Sequence, residues 1–557
     1  MKQMILFSLL LSGSTFMAQA QDDGCDPETQ DCSSPSTVYV APSDIYPNKA
    51  FTTEHIKNRI AFLTENENYL SNIFEMDKKG LSNKQSKVQP WGGSYWPLNQ
   101  GLIANNYQDK DYNTFIFTLM ENINWQTNYN NYIKREKKLY KRIEDLDEKS
   151  LAKLAPSEKY DVLLGDKTFD LTSRIWNYVK TWGNQKKWGY LSKIDMPVFG
   201  EWRTPKVNQN MAIWEGICHG WALAAGHTPR PEKTVTVTLA NGKKMPFYPD
   251  DIKALVSMVW ANSLIQDAVM FEGNRCNRKN PDKDKFGRYI DVKKDATDLS
   301  LLPRCADVHP GIFHASIVNI LGLEGRSFVL DHHPEAAVGN QPVSAYKYQT
   351  FNPLTGKDAS LKESIISVSD YTSDPYRWMR NEETAFIVGI EMDLEYVNWA
   401  YPNTKKVNLQ SLDKIGQMNF MYDLELDQNH DIIGGQWRVS RKGLAGPLHK
   451  KPDQPDFFWV APRQYKKYFQ PIAGLPVWDF EKSTLPPVEY KAKAMIAHSF
   501  MYNMNAAYNF GNPHLCPVFH IDKKEAPRMV PCEFKIPKPQ PLIQIVDKLL
   551  EESIKKH

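Results

Sequence analysis

A cysteine held between two glycines, in WEGICHGWALAAGHTPRP at residues 214–231, is the first place where this sequence offers covalent chemistry. Cys218 opens an Ala/Leu/Trp run bracketed by Gly216 and Gly220 and cut off by Pro229 and Pro231, which predicts a helix over 216–225. A thiol at a helix N-terminus meets unpaired N–H groups and the positive end of the helix dipole, and both favour thiolate. The bland alternative is a small core residue, a common fate of cysteine. A nucleophilic thiol also needs a base and a group that orients the base. His219 adjoins Cys218, but consecutive helical residues do not face each other. His227 lies just past the helix. His314, in GIFHASIVNIL, is the stronger candidate, read here as opening an apolar strand. The next run, SFVLD, reads as its hairpin partner and ends in Asp331. A turn over Gly322–Gly325 sets position 331 opposite position 316, two residues from His314 on the same strand face. An aspartate there fixes the imidazole tautomer and stabilises imidazolium. Asp307, before the strand, is the alternative orienting acid. Singly, His314 is a hydrogen-bonded strand histidine and Asp331 a turn former. Together with Cys218 they follow an order known for thiol acyl transfer.

Acyl transfer also needs an oxyanion hole. The Cys218 N–H is one donor; Asn208, Gln209 and the Trp202 indole, all shortly upstream, are candidates for the second. Trp214 and Trp221 flank the thiol and suit an apolar slot that shields a thioester, with plain core packing as the alternative.

The elements that must position these residues are legible in part. Apolar residues recur at helical spacing from Thr52 to Met76, and Tyr107–Lys138 and Asp170–Val179 read as helices too, so residues 51–200 form a mostly helical N-terminal region, a scaffold or a pro-segment. TVTVTLANGKKMPFYP is a hairpin turning at Asn241-Gly242. Asp250 or Asp251 caps a helix over IKALVSMVWANSL. Ala337–Tyr348, Thr384–Asp393 and MYDLELDQNHDIIGGQW, with its turn at Gln428–His430, read as strands. The expected fold is α+β: a papain-like, transglutaminase-like core over 201–400 with a helix-borne cysteine packed on an antiparallel sheet, a β-rich extension over 401–510, and a Pro-rich tail over 511–557.

CHGWA on a helix, then DIKALVSMVW, PGIFHASIVNILG, SFVLD and VGNQPVSAYKY, resembles the transglutaminase-elicitor family, secreted oomycete-type transglutaminases with bacterial relatives, over about residues 200–465. The resemblance implies a Cys-His-Asp triad at Cys218, His314 and Asp331. It implies a thioester on a glutamine side chain, passed to a lysine or polyamine acceptor. It also allows a calcium requirement, which maps onto no residue here. The family's V-W-N-Q-P-V-R-G motif survives as Val338-Gly339-Asn340-Gln341-Pro342-Val343-Ser344-Ala345. Its Trp and Arg-Gly are lost, so elicitor recognition is not carried over.

Lys2, the apolar run Met4 to Leu11 and Ala18-Gln19-Ala20 make residues 1–20 a signal peptide, followed by a loose stretch over 21–50. The expected product is exported, periplasmic or secreted, with no membrane span. In that setting nearby cysteines pair: Cys25 with Cys32, Cys276 with Cys305, Cys516 with Cys532, leaving Cys218 free. At 557 residues the chain suggests two or three domains, on a prior of roughly 100–200 residues each. A net charge of only +3 argues against nucleic-acid or polybasic membrane partners. Metal sites are not expected: the adjacent His332 and His333, with His309 nearby, point opposite ways on a strand end, and Asp282, Asp284 and Asp291 lack EF-hand spacing. Two other functions compete. One is a cysteine peptidase or amidase on the same triad; the other is a non-enzymatic exported host-recognition protein.

Overall fold

The computed structural model describes residues 52–109, 125–139, 144–184, 197–198, 201–202, 215–263, 269–273, 308–331, 338–377, 380–438, 454–455, 457–469, 471–491, 493, 515–518, 528–531 and 541–556. Helices α1 (Thr53–Thr64), α2 (Ile73–Lys78), α3 (Trp125–Leu139), α4 (Glu148–Ala152), α5 (Pro156–Leu163) and α6 (Asp170–Asn184) fill the first third. Then come α7 (Cys218–His227), α8 (Pro249–Ser263), α9 (Pro310–Ile317, running on as a π-helical stretch Val318–Leu323), α10 (Leu361–Ser364) and α11 (Pro541–Ile554). Several begin on side chains that accept otherwise orphaned N–H groups: Thr52 for α1, Asn72 for α2 and Asp147 for α4.

The strands are β1 (Asn83–Gln85), β2 (Pro197–Val198), β3 (Glu201–Trp202), β4 (Val235–Thr238), β5 (Lys244–Phe247), β6 (Met270–Gly273), β7 (Val329–Asp331) and β8 (Asn340–Phe351). They continue with β9 (Ile366–Ser367), β10 (Phe386–Val397), β11 (Ile415–Leu426), β12 (Ile432–Arg438), β13 (Phe457–Val460), β14 (Leu515–Val518) and β15 (Arg528–Pro531). The main sheet runs β12-β11-β10-β8-β7-β13-β6, with β1 on β8 and β9 on β10, and its pairs are antiparallel. β4 and β5 make the hairpin expected at Asn241-Gly242, and Gly242 takes the left-handed φ of 78° that such a turn needs. β11 and β12 turn at His430, whose φ is 66°, with Asp427 Oδ1 accepting from the N–H groups of Asn429 and Asp431.

Side chains alternate between the two sheet faces, and each face carries its own core. On β7, Val329 joins the core under α7 and α8, while Leu330 joins the opposite core with α1 and α9. On β13, Phe457 and Trp459 face the first, Phe458 and Val460 the second. The first core also takes in Leu98, Tyr107, Tyr160 and Trp176 from the N-terminal helical region and Ile545 and Leu549 from α11.

Two expectations need correction. GIFHASIVNIL is the helix α9, not a strand, and β7 pairs with β8 and β13 instead. Every residue of Pro310–Ile317 is buried, so the run shows no polar face by which to tell helix from strand. The missed signal was local: His309 caps the helix and Pro310 occupies its first turn. Tyr107, expected inside a helix, lies in a turn; residues 110–124 of that expected helix lie outside the described residues, and Trp125–Leu139 is helical as α3. The tail, besides its Pro-rich stretch, ends in the core-packed α11.

Candidate active site

The chain reaches α7 by running antiparallel to the segment around Tyr95–Leu98. Ile217 N–H donates to Tyr95 O at 2.8 Å and Leu98 N–H to Glu215 O at 2.8 Å. A Cβ at Gly216 would lie 2.3 Å from Tyr95 O, so only glycine allows this approach. Helix α7 then begins at Cys218. Its N-cap, Ile217, has no side chain able to cap. The Cys218 N–H, at the first helical position, has no carbonyl four residues back within the helix. The tip of α7 therefore presents N–H donors beside the sulfur. Gly220 lets α7 lie against α8, where a Cβ would meet Ser257 O at 2.3 Å.

Cys218 is a free, half-buried thiol. Its sulfur accepts a hydrogen bond from Asn340 Nδ2 at 3.3 Å. Asn340 is in turn fixed by Trp459, whose Nε1–H donates to Asn340 Oδ1 at 3.0 Å. Asp331 and Asn340 are direct partners in the β7–β8 register, so they share a sheet face. That face is the α7 side, because Asp331 is two residues from Val329 and Asn340 two from Val338. Asp331 is 1% exposed, and its Oδ1 accepts from Gly339 N–H at 2.7 Å. Burial pushes the Cys218 thiol above its ordinary pKa; the Asn340 side-chain amide and, next, the Asn340 backbone N–H pull it down, the Asp331 charge pushes it up, and the His219 N–H pulls it down. Tyr95, whose hydroxyl burial also pushes up, is near enough to feel both Cys218 and Tyr401. Tyr95 meets Trp399 edge to face at 5.4 Å, and Trp399 meets Tyr401 at 4.9 Å.

The structure thus brings Cys218 and Asp331 together but leaves His314 apart. His314 sits on α9 in the opposite core, 0% exposed. Its Nδ1 bonds Tyr422 Oη at 2.8 Å, its ring meets Tyr348 at 4.9 Å, and its Nε2 is buried without a partner. Burial pushes its pKa down to about 3. The hairpin geometry that would have set it beside Asp331 does not exist, because α9 is a helix. Trp221 is fully buried, and its Nε1–H donates to Trp91 O at 3.2 Å. It is a packing residue rather than the wall of an open slot. Trp202 lies on β3.

Asn208, Gln209, Trp214, Cys25, Cys32, Cys276, Cys305, Cys532, Asp282, Asp284, Asp291, Asp307, His332 and His333 lie outside the described residues. Cys516 stands on β14, opposite Val530. His309 accepts from Gly311 N–H at 3.3 Å as the cap of α9, and His227 Nδ1 bonds Leu223 O at 2.9 Å. Among the described residues no three His, Cys, Asp or Glu side chains gather into a metal-binding group.

Asn340, Trp459 and Tyr95 were missed by sequence reasoning. Asn340 was visible only as the first letter of N-Q-P-V. Its place beside Cys218 depends on the 331↔340 pairing, which follows once SFVLD is paired forward to β8 rather than back to 311–321.

A sequence profile described as transglutaminase elicitor matches residues 190–473, just over half of the chain. Among solved structures, the GP42 transglutaminase from Phytophthora sojae is similar, at 18% identity and a TM-score of 0.47, over 80% of this chain and 99% of that one. No curated protein matches. With the cysteine-bearing helix lying inside the matched residues, the chain belongs to the transglutaminase elicitor family.

Proposed function

We propose that the protein is an exported protein-glutamine γ-glutamyltransferase with Cys218 as its nucleophile. The observation that carries this is the free thiol at the uncapped tip of α7, hydrogen-bonded to Asn340 and beside the Asp331 carboxylate. The Cys218 sulfur attacks a glutamine carboxamide, the C–N bond breaks, and ammonia leaves with the proton the thiol gave up. A primary amine then attacks the thioester, loses a proton and frees the thiol. Water in place of the amine gives deamidation. Asp331 orients the group that carries the proton. Export rests on the signal-peptide pattern of residues 1–20; among the described residues no helix is long and apolar enough to cross a membrane.

The test is incorporation of a fluorescent primary amine into a glutamine-bearing protein, with ammonia release and peptide cleavage measured alongside, with and without calcium. Cys218→Ala is expected to abolish incorporation, and an active Cys218→Ala overturns the reading. Peptide cleavage without incorporation favours the peptidase alternative. Alanine variants at His314, His332 and His333 identify the proton carrier. His314→Ala is expected to lower thermal stability more than turnover, since its imidazole is buried across the sheet from the thiol.

A further inference from the structure

An acyl-transfer site on Cys218 needs two donors aimed where the carbonyl oxygen becomes an oxyanion. The tip of α7 supplies one, the Cys218 N–H. The second is identifiable from the Asn340 carboxamide. An asparagine amide has one accepting and one donating end, and which way it faces is decided by its partners. Here the Trp459 indole can only donate, so the end it meets at 3.0 Å is Oδ1, and the NH2 end is turned to the Cys218 sulfur at 3.3 Å. The group is 3% exposed and sits on β8, hydrogen-bonded into the sheet, so it is already held in place before substrate arrives.

We propose that Asn340 is the second oxyanion-hole donor, a catalytic residue, and that Trp459 is the positioning residue that keeps its NH2 facing the reacting carbon. This rests on Cys218 being the nucleophile. As the S–C bond forms, the carbonyl π pair moves onto oxygen. The Asn340 N–H that rests on sulfur transfers its hydrogen bond to that oxygen, alongside the Cys218 N–H. When the C–N bond breaks, the pair returns to re-form the carbonyl of the thioester, and ammonia leaves with the thiol's former proton. The same hole serves again when the amine attacks.

Alkylation separates this role from simple support of the thiol. Sulfur displaces iodide from the CH2 carbon of iodoacetamide without forming an oxyanion, so an oxyanion donor is dispensable for it. In the full-length protein, Asn340→Ala is expected to lower kcat for amine incorporation by about 10²–10³-fold, the loss typical of one oxyanion donor. The plateau alkylation rate of Cys218 at high pH should stay within about twofold, the spread expected for an unaltered thiolate. Asn340→Asp keeps an acceptor for Trp459, and so its shape and packing, but replaces the donor; it is expected to lose kcat as well. Trp459→Phe should lose less, about tenfold, because the amide can still reach the productive orientation part of the time. Asn340→Ala or Asn340→Asp with kcat near wild type, while Cys218→Ala is inactive, overturns the assignment and leaves the nucleophile standing. A parallel fall of plateau alkylation and kcat also overturns it, since that marks a structural role. An active Cys218→Ala sinks the nucleophile itself.

Discussion

Asp331 and Asn340 pull the Cys218 thiol in opposite directions. The Asn340 N–H stabilises thiolate, while the Asp331 charge, held on the adjacent strand, disfavours it. The net result with burial is a thiol pKa raised above its ordinary value. On the proposed mechanism a proton carrier between the two would bring a positive charge that reverses the balance. The sign is testable with Asp331→Asn, which keeps an oxygen for the Gly339 N–H but removes the charge. The thiol pKa should fall, so iodoacetamide alkylation at pH 8 should speed up several-fold, as expected when one unit of pKa is about 1.36 kcal/mol. On the proposed mechanism, in which Asp331 orients the proton carrier, amine incorporation should drop more than about tenfold. An alkylation profile that does not move toward lower pH contradicts the placement of Asp331. At this scale the sequence reading singled out Cys218 and Asp331, because each sits at a recognisable end of an element, and the fold sets the two near each other. It misplaced His314, because a residue's neighbours across a sheet depend on the element it belongs to.

Elements were legible where polar and apolar residues alternate or turns are chemically marked. The β4–β5 hairpin, β7, β8 and the β11–β12 turn all carry such marks. Helix α9 carries none on its faces, because every residue of it is buried, His314 and Ser316 included. Its two start signals are His309, the cap, and Pro310 in the first turn. Once it is a helix, it covers one face of the sheet and α7 covers the other. The position of α7 is set by its contact with α8, and Gly220 is a point of close approach. In Gly220→Ala the new methyl meets Ser257 O at 2.3 Å and Ala261 Cβ at 2.6 Å, both on a rigid helix. The two helices must separate, at a cost of about 1–3 kcal/mol, the range for overpacking a tight core. The shift moves Cys218 relative to β8, so kcat should fall further than stability alone explains. A Gly220→Ala protein with wild-type kcat and melting temperature shows that the α7–α8 contact is looser than described.

At the scale of the molecule, the N-terminal helical region is bound into the core that carries Cys218. Lys159 of α5 reaches Asp251 of α8 at 2.6 Å, with both side chains 0% exposed. Tyr107 Oη donates to Asp251 Oδ1 at 2.9 Å, and the Tyr248 N–H to Oδ2 at 2.8 Å. Burial pushes the Lys159 pKa down and that of Asp251 up, and each charge opposes the shift of the other. A pro-segment that must leave on activation would gain nothing from such a pair, because removing one partner strands a buried charge. Lys159→Met should therefore cost about 3–5 kcal/mol, the usual penalty for a broken buried pair. Adding Asp251→Leu should recover part of it, since an apolar pair needs no compensation. If the helical region and the Cys218 core form one cooperative unit, loss of helix and loss of amine incorporation on heating should coincide in every variant. A Lys159→Met protein whose N-terminal helices melt or are clipped away while incorporation persists shows instead that the region is dispensable.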